Sequence, residues 1–302
     1  MRIALADLDL FYISYDEPLA DERYRDLCAK APRPIKRVHG IRGIHAAHKA
    51  CAEQSETSRF VTIDADNIVS APLFFQRFEE TEPDLVLSYK ARNAINGLEY
   101  GQGGVKVWPR PLLLRYGTHE IAEREQDSSD FCFAYRFLQM NYLASTTAPN
   151  GNPLEAFRTG YREAVKLTLI MGKQPDDFEA VRETIYPLNL SRLTVWASVG
   201  ADVENGWWAI YGARQGLYDL WVAGKPVVNL INDFPSFNRE FDRHHAQRDP
   251  EYDAMALLRR LAPLNLPLAN LDAAQSRMFK AVYHNPERQG IMLPQMEPVP
   301  LD

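Results

Sequence analysis

Along the first ninety residues, short apolar runs alternate with mixed polar stretches. Residues 10–15 form an apolar and aromatic run, which reads as the first central strand. It leaves through Ser14, Tyr15, Asp16, Glu17 and Pro18, a polar exit closed by proline. Residues 21–30 are helical in composition, with Asp21 placed to cap them, and the Ala-Pro-Arg-Pro that follows breaks the chain. Residues 35–41 read as a second strand, and Gly40 and Gly43 bracket a turn before a small-residue helix over 44–54. The third strand is the β-branched run 60–63. Residues 71–79 read as a helix and 84–89 as a fourth strand. This alternation predicts an α/β fold on a mostly parallel sheet.

The pattern then changes. Residues 96–110 are glycine-bearing and then extended, and 111–125 read as a helix. Residues 154–169 carry a clear amphipathic helical pattern. A tryptophan pair, Trp207 and Trp208, follows Gly206. Residues 226–231 read as a late strand and 252–261 as a helix. The last forty residues are punctuated by proline and are expected to wrap back over the core. On this reading residues 1–240 form the core and 241–302 a helical C-terminal extension packed on it.

Composition narrows the classes. A chain that is 46% hydrophobic and 25% charged has the balance of an ordinary globular protein. No apolar run approaches the roughly 18 residues of a membrane span. Acids inside the first apolar stretch make it a poor secretory signal. Three widely spaced cysteines, Cys28, Cys51 and Cys132, suit a reducing compartment better than a disulfide framework or zinc knot. A cytoplasmic location is therefore expected. A net charge of −6 lacks the overall signature of a nucleic-acid binder, while leaving room for a local basic groove.

The chemistry concentrates at the end of the third strand, where Ile63 is followed by Asp64, Ala65, Asp66 and Asn67. Two carboxylates at a strand terminus can turn toward one point. Mg²⁺ or Mn²⁺ binds by one or two such carboxylates together with water and substrate phosphates. A second Asp-x-Asp, Asp7 and Asp9, interrupts its own strand pattern and is the weaker copy. Gly101, Gly103 and Gly104 allow close approach of the backbone to a ligand, and Lys106 and Arg110 follow as candidate phosphate partners or as the basic face of a hairpin. His45 and His48 stand three apart on a helix, a spacing open to packing or to metal binding, with packing favoured.

The segments FYISYDEPLADE, KRVHGIRGIHAAHKACAEQSETSRFVTIDADN, YGQGGVKVWPR, AFRTGYREAVKL and GWWAIYGARQG, in this order, resemble the phage and base J-associated DNA glycosyltransferases, a GT-A-type family that accompanies TET/JBP dioxygenases. The similarity spans roughly residues 9–240, and Ala65 stands where the family's Asp-x-Asp often has glycine. The resemblance implies a GT-A-like Rossmann-type sheet. It implies transfer of a sugar from a nucleotide-sugar donor, UDP-linked, to the hydroxyl of a 5-hydroxymethyl pyrimidine in DNA, with inversion. The setting would be the cytoplasm of a bacterial or phage-infected cell. Asp64 and Asp66 would bind Mn²⁺ or Mg²⁺, and Ser14 and Asp16 would grip the base and ribose. Gly103, Gly104 and Lys106 would lie at the donor. His244, with His245 and Asp242 as alternatives, would close the metal site. Asp130 or Glu163 would be the base, ahead of Asp127, Asp202 and Asp233. Basic clusters at 33–42 and 239–248, with Trp207, Trp208 and Tyr211, would meet DNA. The competing reading is a GT-A enzyme acting on a small molecule, a glycan or a protein.

Overall fold

The computed structural model describes residues 2–80, 82–101, 104–115, 136–170, 172–185 and 187–283. The chain divides into two compact units. The first comprises Met1–Ala94, Leu98–Gly151 and Leu169–Gln174. Its elements run β1 (Arg2–Ala4), β2 (Asp9–Ser14), α1 (Ala20–Lys30), β3 (Lys36–His39), α2 (Ile44–Gln54), β4 (Arg59–Asp64), β5 (Asn67–Val69), β6 (Arg77–Glu79), β7 (Val86–Asn93), β8 (Glu99–Tyr100), β9 (Lys106–Pro109), α3 (Arg110–Arg115) and β10 (Phe137–Thr147).

The main sheet has the order β3-β2-β4-β9-β7-β10-β5, with β8 on β7, and β1 pairs with β6 apart from it. The longest ladders are parallel: β2 with β3 and β4, and β7 with β10. One antiparallel strand, β9, is inserted between these two parallel blocks. The expected α/β class and largely parallel sheet are therefore present.

Side-chain alternation builds a core on each face. Leu10, Tyr12, Val61, Ile63, Val105 and Val107 pack on one side, against Ala20 and Leu27 of α1. Phe11, Phe60 and Trp108 pack on the other, against Ala47, Cys51 and Ala52 of α2 and Leu112 and Leu113 of α3. Thr62, Asp64 and Lys106 share the second face by the same alternation, and Trp108 Nε1 donates to Thr62 Oγ1 at 2.9 Å.

Two expected elements of this unit differ. Residues 71–79 are not one helix but a 3₁₀ turn, Ala71–Phe75, followed by β6. Pro72 suits the short turn, and the residues beyond it find a ladder partner in β1. Asp21 does not cap α1: Leu19 stands at the cap, and the Asp21 carboxylate accepts from Arg37 at 2.7 Å.

The second unit comprises Ile95–Gly97, Asn152–Thr168 and Pro175 onward, and is helical. Its helices are α4 (Pro153–Lys166), α5 (Phe178–Thr184), α6 (Pro187–Trp196), α7 (Gly206–Leu217), α8 (Phe234–His244), α9 (Pro250–Arg260) and α10 (Ala273–Tyr283). The expected core boundary at residue 240 falls inside α8. Helices α4 and α7 meet backbone to backbone. A Cβ on Gly160 or Gly212 would fall well inside 3.0 Å of the Ala209 or Phe157 carbonyl oxygen. The fully buried Arg214 guanidinium donates to Ala197 O, Ala254 O, Ala269 O and Asn270 Oδ1 at 2.6–2.8 Å, tying α7 to its neighbours.

The expected strand over 226–231 is absent. Pro226 has no N–H for a ladder, and the Val227, Ile231 and Asn232 amides close local turns onto Lys225, Val227 and Asn229. Among the described residues no helix is long and apolar enough to cross a membrane.

Candidate active site

The site forms where β2 and β4 end. Strand β2 lies between the edge strand β3 and β4, so the chain leaves β2 toward β3 on one side and then crosses to β4 on the other. A crevice outside the carboxyl ends of such strands is where open α/β sheets take ligands. Ile13 of β2 pairs with Asp64 of β4, which brings the segment 14–17 beside the Asp64–Asp66 turn. At the end of β2 and the start of α1 a cleft of about 380 Å³ is lined by Tyr15, Asp16, Glu17, Asp21, Arg37 and His39, among others; neither Asp64 nor Asp66 lines it. The weaker Asp-x-Asp copy lies at the opposite end of the sheet, since Asp9 pairs with Phe60. Asp9 is held below its usual value: burial pushes it up, but the Glu56 amide (2.6 Å) and Lys36 outweigh that. It is a structural acid.

Asp64 is partly buried, and loss of solvent pushes its carboxyl up to about 7. Lys106 opposes the rise, and the charges of Asp66 and Glu17 add to it. The burial comes from register. In the β4–β9 ladder Arg59 faces Pro109 and Thr62 faces Lys106, so the same register sets Asp64 opposite Gly104. A Cβ on Gly104 would fall well inside 3.0 Å of the Asp64 side chain. Only glycine lets this strand close over the carboxylate. Behind Asp64, Cys51 of α2 has its thiol raised by burial and by the Asp64 charge.

Asp66 is held differently. Thr147 Oγ1 donates to Oδ2 at 2.8 Å and Asn67 Nδ2 donates to Oδ1 at 2.6 Å. The Ala148 amide donates to the Asp66 carbonyl at 2.9 Å. Arg23 reaches from α1 to Ala65 O (3.0 Å) and Ala148 O (3.1 Å). The turn is thus fixed from β10 and from α1. Neither Thr147 nor Arg23 was among the residues singled out from sequence, because both reach the turn only through tertiary contacts. The serine and threonines at 145–147, closing a strand, were the available signal.

The other expected site residues fall as follows. Ser14 is 2% exposed; its Oγ accepts from Arg37 Nε and lies 3.0 Å from His39 Nδ1, so it braces two residues that line the cleft. Asp16 lines the cleft itself. Gly103, Asp127 and Asp130 lie outside the described residues. In the second unit Glu163 is a partly buried residue of α4. His244, at the end of α8, is exposed, with Glu240 Oε2 at 3.5 Å. His245 is pushed down to about 4 by burial, and Tyr211 Oη lies 2.7 Å from its Nδ1. Asp202 pairs with Lys280 at 2.7 Å, and Asp233 caps α8 through the Ser236 amide. Among the described residues no three His, Cys, Asp or Glu side chains are grouped to hold a metal ion. The Asp64–Asp66 pair instead suits a cation that takes one or two carboxylates and completes its shell with water and phosphate oxygens.

His45 and His48 are both buried. His48 packs edge-on against Trp108, its Nδ1 lies 2.8 Å from Ile44 O, and burial brings it down to about 3, so it stays neutral. This is a packing role. Both basic clusters make contacts within the chain: Lys36 with Asp9, Arg37 with Asp21, Arg243 with Glu240 and Arg248 with Asp253. Trp208 and Tyr211 pack with Phe157, and Trp208 with Phe241, in an aromatic core rather than on an open stacking platform.

No protein-family model matches the chain, and no curated protein matches it. Among solved structures it is similar to a mannosyltransferase from Pyrobaculum calidifontis in complex with GDP-Man and Mn²⁺, at 13% identity over 85% of this chain and 87% of that one, TM-score 0.36. It is also similar to S. aureus TarS 1–349, at 13% identity over 93% of this chain and 92% of that one, TM-score 0.32. Likenesses this remote carry no argument about the chemistry.

Proposed function

We propose that the chain is a metal-dependent glycosyltransferase of GT-A type. The observation that carries this reading is the Asp64–Asp66 turn at the carboxyl end of a buried parallel strand. One carboxylate there is desolvated under Gly104, and the other is braced by hydrogen bonds. A desolvated carboxylate such as Asp64 is costly to ionise without positive charge to face. The residues fit Mn²⁺ or Mg²⁺ carried by a nucleotide diphosphate. A divalent ion bound there supplies Lewis-acid charge compensation to a departing diphosphate.

The remaining roles fall to the chain's own side chains. Asp64 and Asp66 would hold the ion. Asp16, Tyr15 and the Ser14-braced Arg37 and His39 line the cleft at the end of β2, where the nucleoside of a UDP-linked sugar would be gripped. Gly104 brings backbone to the donor, and Lys106 sets positive charge beside Asp64. In the transfer, the acceptor oxygen bonds to the sugar's anomeric carbon as the bond from that carbon to the diphosphate oxygen breaks. The electron pair leaves with the diphosphate, and the acceptor's proton passes to a carboxylate, Asp130 or Glu163.

The acceptor we assign is the hydroxyl of a 5-hydroxymethyl pyrimidine in DNA, on the sequence resemblance, with a reducing cytoplasm as the setting. The test is a screen of nucleotide sugars with Mn²⁺ against hydroxymethylcytosine-DNA, hydroxymethyluracil-DNA, free glycans and peptides. Sugar transfer to modified DNA that weakens with salt supports the assignment, because neutralising phosphates releases counterions. Transfer only to a glycan, peptide or small molecule moves the acceptor to that class. No donor turnover or hydrolysis with any nucleotide sugar overturns the enzyme reading.

A further inference from the structure

Asp66 is the better-supported acid of the pair, and its support comes from strand β10. Strands β5 and β10 pair antiparallel, with Asn67 opposite Thr147 and Val69 opposite Ser145. The register brings three polar side chains to one buried place; Asn67, Ser145 and Thr147 are 2–4% exposed. Ser145 Oγ donates to Asn67 Oδ1 at 2.7 Å. An ionised carboxylate only accepts, so the Asn67 amide presents its nitrogen to Asp66, donating to Oδ1 at 2.6 Å, and turns its oxygen to the Ser145 hydroxyl. Thr147 Oγ1 donates to the other carboxylate oxygen at 2.8 Å.

A carboxylate offers about four lone-pair sites. Here one on each oxygen is taken by a protein donor, leaving one on each for a cation. The two donors come from different strands and hold opposite ends of the group, so its rotation about the Cβ–Cγ bond is blocked. Donors that fix a ligating carboxylate in this way act on metal affinity through orientation.

We infer that Thr147 and Asn67 are positioning residues that fix the Asp66 carboxylate for a divalent cation, with Ser145 setting the face of the Asn67 amide. The inference rests on the metal-dependent reading above. It assigns no contact with substrate to any of the three.

The test is an Mn²⁺ titration followed by electron paramagnetic resonance, with and without UDP, on the full chain. Asp66→Asn reports on the metal reading; Thr147→Val, Asn67→Leu and Ser145→Ala report on positioning, and Thr147→Ser serves as rescue. Thermal midpoints are recorded for all. The expected result is loss of binding in Asp66→Asn and affinity weakened about 10–100-fold in Thr147→Val and Asn67→Leu. Ser145→Ala falls between those variants and wild type, and Thr147→Ser stays near wild type. If Asp66→Asn binds as wild type does, or wild type binds no Mn²⁺, the metal reading fails and takes this inference with it. If Asp66→Asn loses Mn²⁺ while Thr147→Val and Asn67→Leu keep wild-type affinity, positioning is overturned and the metal reading stands. Should one of these two variants not fold, the other decides, with Ser145→Ala as the milder probe.

Discussion

Asp64 and Gly104 face each other one step past Ile63 and Val105, in the register that sets Thr62 against Lys106, and there is no room between them for a Cβ. The atoms that a side chain would strike include Asp64 Cβ and Cγ, close to the backbone of a buried strand. They cannot swing aside as the tip of a long side chain could. Gly104→Ala is therefore expected to displace the Asp64 carboxylate or to lift β9 from β4. The expected outcome is Mn²⁺-dependent donor binding weakened by about tenfold or more, with global stability lowered by about 1–3 kcal/mol. Calorimetric titration of UDP with Mn²⁺, beside urea unfolding, measures both. Wild-type affinity in the alanine variant would show that the close approach does not shape the site.

The raised carboxyl of Asp64 makes a prediction about pH. Its value in the folded chain, about 7, lies above the ordinary 3.8. The folded chain therefore holds this proton more tightly than the unfolded one. The associated stability is fully present below about pH 4 and is lost as pH rises through about 7. Asparagine mimics the protonated form. Asp64→Asn and wild type should unfold at similar temperatures near pH 4, diverge in favour of the variant toward pH 7, and run parallel above it. Mn²⁺ with UDP should close the gap only from about neutral pH upward, since a ligating carboxylate must be ionised. A constant difference at every pH would mean that Asp64 is not desolvated in solution.

Much of this site was legible in local sequence, for a physical reason. Phe60, Val61 and Ile63 need a buried strand, and an Asp-x-Asp can only follow such a strand at its end. Gly104 and Lys106 were legible because glycine before an extended basic segment signals close backbone approach. Thr147 and Arg23 were not, since they meet the turn through a strand and a helix about 80 and 40 residues away in sequence. The errors share a cause. Residues 226–231 and 71–79 carry patterns that fit strand and helix. Pro226 and the ladder partner of β6, neither of which hydropathy weighs, decided them otherwise.

The helical unit offers a test independent of chemistry. Gly160 of α4 lies against the Ala209 carbonyl of α7, and Gly212 of α7 lies against the Phe157 carbonyl of α4. Alanine ordinarily favours a helix over glycine by about 1 kcal/mol. Here the obstacle is backbone in both directions, so the helices must separate around Phe157 and Tyr161, both buried. Gly160→Ala and Gly212→Ala are each expected to destabilise the fold by about 2–4 kcal/mol, against the propensity gain. Unfolding in urea reads this, and a stabilised variant would refute the close crossing.

The last prediction concerns the base. A primary hydroxyl is a weak nucleophile at neutral pH, and a carboxylate that takes its proton contributes about 10²–10⁴-fold. Two acids considered for this role are already engaged. Asp202, with its side chain 6% exposed, pairs with Lys280, and Asp233 caps α8 and accepts from Ser236 Oγ at 2.5 Å. Asp130 and Glu163 are the two acids to replace first. Asp130 follows the glycine-bearing segment in sequence; Glu163 shares α4 with Arg158 and Arg162, which stack on Phe234 at 4.5 and 4.6 Å. We expect Asp130→Asn to lower single-turnover transfer by about 10²–10⁴-fold with donor affinity unchanged, because a base touches the acceptor and not the diphosphate. Glu163→Gln is expected to have the smaller effect. The measurement is rapid-quench transfer onto the accepted substrate, beside a donor titration for each variant. Equal, near-wild-type transfer by both would move the base to another group, and Asp127 is then the next acid to replace.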